Sequence, residues 1–165
     1  LPIYSRIMKT LICRIPSQAI SGYKKLLNKT IPILQKNFDL VLLPLDGNIN
    51  IDSLDFKYNK LNKNNFHAPE FIITSLTTDR YSSFTNFLPD KNNISFYTMW
   101  ESSIVPRFPV EELNILKAKV FVPSQWNEEG FKLSGIKNVE HLALFVDTDI
   151  FKYKKNGFKF IFVSF

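Results

Sequence analysis

The chain alternates short apolar runs with longer amphipathic ones. Thr10 to Ile15 is an apolar run closed by Pro16, and Tyr23 to Gln35 repeats apolar residues at helical spacing (Leu26, Leu27, Ile31, Leu34). The loop Ser17-Gln18-Ala19-Ile20-Ser21-Gly22 joins them, so this stretch predicts strand, loop, helix, with Pro32 kinking or shortening the helix. Phe38 to Leu45 predicts a second strand, turned by Asp46-Gly47. Asn48 to Asn65 is rich in Asn and Lys and predicts an irregular connection carrying at most one short helix.

Further runs predict strands over Phe71 to Ser75 and Asn93 to Met99, with a short helix over Tyr81 to Leu88 between them. Pro106 and Pro109 mark the start of a helix over Val110 to Leu116, since proline is tolerated in a first helical turn. Lys119 to Val122 predicts a strand, followed by a helix from Pro123-Ser124 to Leu133, with Ser124 as N-cap and Gly135 as stop. Val139 to Leu144 predicts one more strand, with His141 a core residue within it. Strands that keep alternating with helices imply right-handed crossovers and a doubly wound α/β domain with a mostly parallel sheet.

Composition narrows the classes. The 165 residues, 45% hydrophobic, suit one domain with a sizeable core. Cys13 is the single cysteine, so it forms no internal disulfide or multi-cysteine metal site and reads as a buried small hydrophobe in a reducing, cytoplasmic compartment. No run approaches the roughly 20 apolar residues of a membrane span, and no export signal opens the chain. Leu1 is not a natural start, so the chain is expected to begin inside a longer protein or ahead of an internal start at Met8. The net charge of +6 favours anionic partners, including peripheral contact with an acidic membrane face. Its lysines are scattered, however, with no Arg-rich stripe interleaved with aromatics, so no specific nucleic-acid partner is expected.

Several groups are candidates for ligand contact. Ligands of open α/β sheets gather beyond the carboxyl ends of the strands. Ser17, Ser21, Gly22 and Tyr23 follow the first strand, where amides at a helix start can hold an anion and Gly22 permits close backbone approach. The same residues also read as an ordinary turn with Ser17 or Ser21 as N-cap. Thr98, Trp100 and Glu101 follow a central strand; a carboxylate there can accept hydrogen bonds from ligand hydroxyls, or else cap or orient a neighbouring segment. Trp100 reads equally as a packing residue, and Ser124 as a helix cap at the cleft edge. Asp147 and Asp149 lack the further ligands of a calcium loop, and the distant His67 and His141 assemble no nucleophile-base set, so no metal is expected.

Four segments carry a resemblance: Phe96-Tyr97-Thr98-Met99-Trp100-Glu101, Val122-Pro123-Ser124-Gln125-Trp126, Ser134-Gly135-Ile136, and Phe145-Val146-Asp147-Thr148-Asp149-Ile150-Phe151. In this order and spacing they resemble glycosyltransferase family 4 and its GT-B relatives. Phe145 stands where the family usually has glycine, and the family's frequent histidine after a central strand has no counterpart at Ser75-Leu76-Thr77. The resemblance implies the N-terminal half of a GT-B fold: a Rossmann-like acceptor-side domain over residues 1–151, a linker over 152–157, and, from Phe158 to Phe165, the first strand of a C-terminal donor domain or an added edge strand. The implied activity is sugar transfer from a nucleotide-sugar donor to an acceptor, usually retaining, with Ser17, Ser21, Gly22, Tyr23, Thr98, Trp100, Glu101 and Ser124 as substrate-binding residues. The donor-gripping glutamates of the family lie in the second domain and are expected beyond Phe165. The 165 residues alone are therefore expected to be inactive and to hold no cofactor. Two rivals stay open, a non-catalytic α/β binding module and a basic nucleotide- or nucleic-acid-binding protein.

Overall fold

The computed structural model describes residues 9–15, 21–44, 68–74 and 93–144. The elements run β1 (Lys9–Ile15), α1 (Ser21–Gln35), β2 (Phe38–Pro44), β3 (Glu70–Ile73), β4 (Ile94–Tyr97), α2 (Arg107–Ile115), β5 (Lys119–Val122), α3 (Gln125–Leu133) and β6 (Val139–His141). The six strands form one sheet in the order β2-β1-β3-β4-β5-β6. Each neighbouring pair is parallel, so the expected mostly parallel sheet is parallel throughout the described strands. The order reverses between β1 and β3: the chain steps outward from β1 to β2, then returns and builds the rest on the other side. The expected helix over 81–88 and the connection over 48–65 lie outside the described residues. So does everything from Phe145 to Phe165, including the expected linker and the expected strand from Phe158 to Phe165.

Successive residues of a strand face opposite sides, and here both sides are buried, which is why these strands read as continuous apolar runs. On one face Leu11, Cys13, Ile15, Leu40, Leu42, Ile73 and Tyr97 pack with Leu27 and Ile31 of α1. On the other, Ile72, Ile94, Phe96, Val120 and Val122 pack with Val110 and Leu113 of α2 and Phe131 of α3. Helices thus cover both faces, a Rossmann-like α/β arrangement in general form.

Local chemistry explains the element ends. α1 runs past Pro32 to Gln35, so the proline does not shorten it. Pro109 sits in the first turn of α2, where its missing N–H is one that no helix would use. Ser124 caps α3 by accepting from the Asn127 amide, and Gly135, at φ +94°, stops it. The Gly135 amide donates to the Lys132 carbonyl and the Ile136 amide to the Phe131 carbonyl, while Ile136 and Phe131 share the same core. That is a Schellman stop with its apolar contact. α2 ends with the same bonds, Lys117 to Asn114 and Ala118 to Leu113, but the left-handed position is Lys117 at φ +50°.

One expectation fails in the last strand. β6 covers only Val139–His141, and His141 is exposed rather than part of the core. As the outermost described strand, β6 has a neighbour on one side only, and of its residues Val139 alone is buried. Glu140 instead pairs with Lys119 at 2.7 Å on the surface.

Candidate functional site

The carboxyl edge of the sheet is held in register beyond the strands themselves. The Thr74 amide donates to the Tyr97 carbonyl, Thr98 to Phe121 and Leu142 to Val122, extending the ladder by a residue at three neighbouring strand ends. The Tyr97 hydroxyl, its pKa raised by burial, donates across β5 to the Leu142 carbonyl at 3.0 Å. These bonds make a firm platform for the segments that leave β4 and β5.

The segment leaving β4 begins with two costly groups. Thr98 is fully buried, and Trp100 packs against the core around Phe96. Neither the Thr98 hydroxyl nor the Trp100 indole N–H has a hydrogen-bond partner among the described residues. Each such orphan costs roughly 1–3 kcal/mol of desolvation, and folded proteins keep few of them. Glu101, Ser102 and Ser103 then emerge exposed at the edge, with Ile104 67% exposed before Val105 returns to the core.

α3 clamps this segment at three points. The buried Asn127 side chain donates from Nδ2 to the Trp100 carbonyl at 2.7 Å and accepts from the Ser124 hydroxyl at 3.2 Å. The Ser124 oxygen in turn accepts from the Asn127 amide at 3.1 Å, so this one serine is cap and tether together. One turn on, Gly130 lies so close that a Cβ there would sit 2.8 Å from the Ser103 carbonyl oxygen. At the end of the helix, the Ser134 hydroxyl accepts from the Val105 amide at 2.8 Å and donates to the Gly130 carbonyl at 2.7 Å.

The structure therefore brings Trp100 and Ser124 together through Asn127, with Thr98 and Glu101 flanking Trp100. Thr98 is wholly enclosed, whereas Glu101 is open to a ligand. Ser21, Gly22 and Tyr23 are the first three residues of α1, so the helix takes up the end of the expected loop. Ser17 lies outside the described residues, as does Phe165, beyond which the donor-gripping residues are expected. Asn127, Gly130 and Ser134 were not singled out by sequence reasoning as clamp residues. The available signal was the third position after the Ser124 cap, where a polar side chain commonly completes a capping box.

Elsewhere, burial and then the nearby Glu70 charge push the Cys13 thiol up to about 12, which leaves it inert. Among the described residues no group of three His, Cys, Asp or Glu side chains is placed to hold a metal ion, and no helix is long and apolar enough to cross a membrane. No protein-family model matches the chain, and neither a curated protein nor a solved structure matches it.

Proposed function

We propose that this chain is the acceptor-side domain of a GT-B glycosyltransferase, transferring a sugar, with retention, from a nucleotide-sugar donor gripped by a second domain. The observation that carries the reading is the clamp. Two of the four segments that resemble the family, around Trp100 and Ser124, meet at the carboxyl edge through the Asn127 side chain, and a third, at Ser134, ties the opposite end of α3 to Val105, where the chain beyond Glu101 runs on. Glu101 at the exposed lip accepts acceptor hydroxyls, Trp100 and Thr98 shape the floor, and Ser124 fixes the α3 start beside them.

Exposed large apolar residues on the same edge agree with a facing partner domain: Ile104 leaves β4, and Trp126, 51% exposed, opens α3. Closure of two domains over the acceptor excludes water and completes the donor site, so the isolated chain binds acceptor weakly and transfers nothing.

The test uses Trp126→Phe, which leaves Trp100 as the sole tryptophan. Its fluorescence is titrated with oligosaccharides spanning the common hexose linkages, with and without sugar nucleotides. The expected result is a saturable, salt-insensitive response to a subset of glycans that Glu101→Gln weakens. Failure of every glycan, with binding to arbitrary polyanions that falls steeply as salt rises, would overturn the reading in favour of a nucleic-acid-binding protein. Donor-dependent transfer by the 165 residues alone would overturn the division of labour.

A further inference from the structure

On the sheet face opposite α1, β1 and β3 share one ion pair. Arg14 donates from Nε to Glu70 Oε2 at 3.0 Å and from Nη2 to Oε1 at 3.2 Å. The Glu70 side chain is 2% exposed and that of Arg14 12%. Burial raises the Glu70 pKa, and the hydrogen bond and charge of Arg14 oppose that shift.

A guanidinium has more than one edge that can bind two oxygens in its plane. Glu70 occupies the Nε–Nη2 edge. The other, Nη1 with the second Nη2 proton, has no partner among the described residues, and the remaining exposure of Arg14 lets solvent reach the side chain.

Position adds to geometry. Arg14 is one residue from the carboxyl end of β1, its guanidinium lies over the sheet face against Glu70, the first residue of β3, and β1 and β3 are the pair between which the strand order reverses. Open α/β sheets bind ligands at that switch point. A well-packed apolar pair of similar volume is often as stable as a buried ion pair, so stability alone does not account for these charges.

We infer that Arg14, oriented by Glu70, is a receptor for one oxyanion group, a phosphate or a carboxylate. The inference stands on this pair and not on the transferase reading. Glu70 fixes the guanidinium plane and lowers its rotational freedom, so the edge that has no partner among the described residues meets a ligand preorganised.

The experiment is calorimetric titration of the 165-residue chain at constant ionic strength with inorganic phosphate, a hexose 1-phosphate and acetate, which separate phosphate from carboxylate and free anion from sugar-borne anion. The comparison protein is R14M/E70L, which removes one positive and one negative charge and so keeps the net charge at +6. Non-specific attraction to the basic surface is therefore unchanged. Arg14→Lys is the second variant; it retains the ion pair, and with it the fold, but not the second planar edge. Expected is saturable binding of at least one of the three anions, weakened on the order of tenfold or more in both variants. Wild-type protein that binds none of them, or variants that bind as tightly as wild type, would overturn the assignment.

Discussion

Gly130→Ala sets two physical effects against each other, which makes it a sharp test of the clamp. In an isolated helix, replacing glycine by alanine stabilises by about 1 kcal/mol, because the alanine backbone has less freedom to lose. In α3 the new Cβ would lie 2.8 Å from the Ser103 carbonyl oxygen and 3.5 Å from its carbonyl carbon, both backbone atoms that cannot rotate aside. Relief requires helix and segment to part by roughly 0.6 Å or more, the difference from an ordinary van der Waals contact. The segment is pinned on both sides, by Asn127 to Trp100 at 2.7 Å and by Val105 to Ser134 at 2.8 Å, so parting stretches both bonds. Overpacking costs about 1–3 kcal/mol and each weakened hydrogen bond up to about 1 kcal/mol, which outweighs the helix gain. A net loss of about 1–3 kcal/mol is expected, or roughly 2–4 °C in Tm per kcal/mol for a chain of this size. Urea unfolding followed by tryptophan fluorescence reads it as a lowered midpoint with an unchanged slope. If Gly130→Ala is instead as stable as wild type or more so, the close approach of α3 to Ser103 is wrong, and the corner proposed as the acceptor site loses its support.

Three further outcomes are expected. Thr98→Val keeps the side-chain shape and removes a buried hydroxyl that has no partner among the described residues, so it should stabilise the fold by about 1 kcal/mol or more in urea titrations; a loss of stability would mean that the hydroxyl is satisfied. Lys117→Gly relieves a left-handed backbone that costs a non-glycine residue about 1–2 kcal/mol, less the entropy that glycine brings, for a net gain of about 0.5–1 kcal/mol. A lower urea midpoint for this variant would refute the strain. Glu70 has a folded pKa raised above the ordinary 4.5, so the folded state holds its proton more tightly than the unfolded state. Its destabilising contribution is present above the folded pKa and is relieved as pH falls through that value toward 4.5. Stability measured against pH should therefore rise on mild acidification by a component that R14M/E70L lacks; difference curves that are flat, or that slope the other way, would contradict the burial of Glu70.

Much of the fold was legible because its signals are local. The strand at Lys119–Val122 and the helix after Ser124 were read with their boundaries, since a cap serine and a stop glycine act on bonds three to five residues away. Continuous apolar runs such as Leu40 to Leu42 announced strands buried on both faces, hence a parallel sheet. His141 went wrong for a related reason: an apolar run records that a strand is present, but not whether it lies at the centre of a sheet or at its border.

Among the described residues, the chain by itself determined which segments are strands and helices, where several of them start and stop, and that a buried cysteine stands in the first strand, because each depends on residues within a turn or two. Only the tertiary structure decided the order β2-β1-β3-β4-β5-β6, the meeting of Arg14 with Glu70 across 56 positions, and the use of Asn127, Gly130 and Ser134 as a clamp on the Trp100 segment. These are contacts between segments far apart along the chain, and no periodicity or propensity encodes which distant backbone a side chain will reach. Packing both faces of one sheet selects them, and that selection places the candidate site.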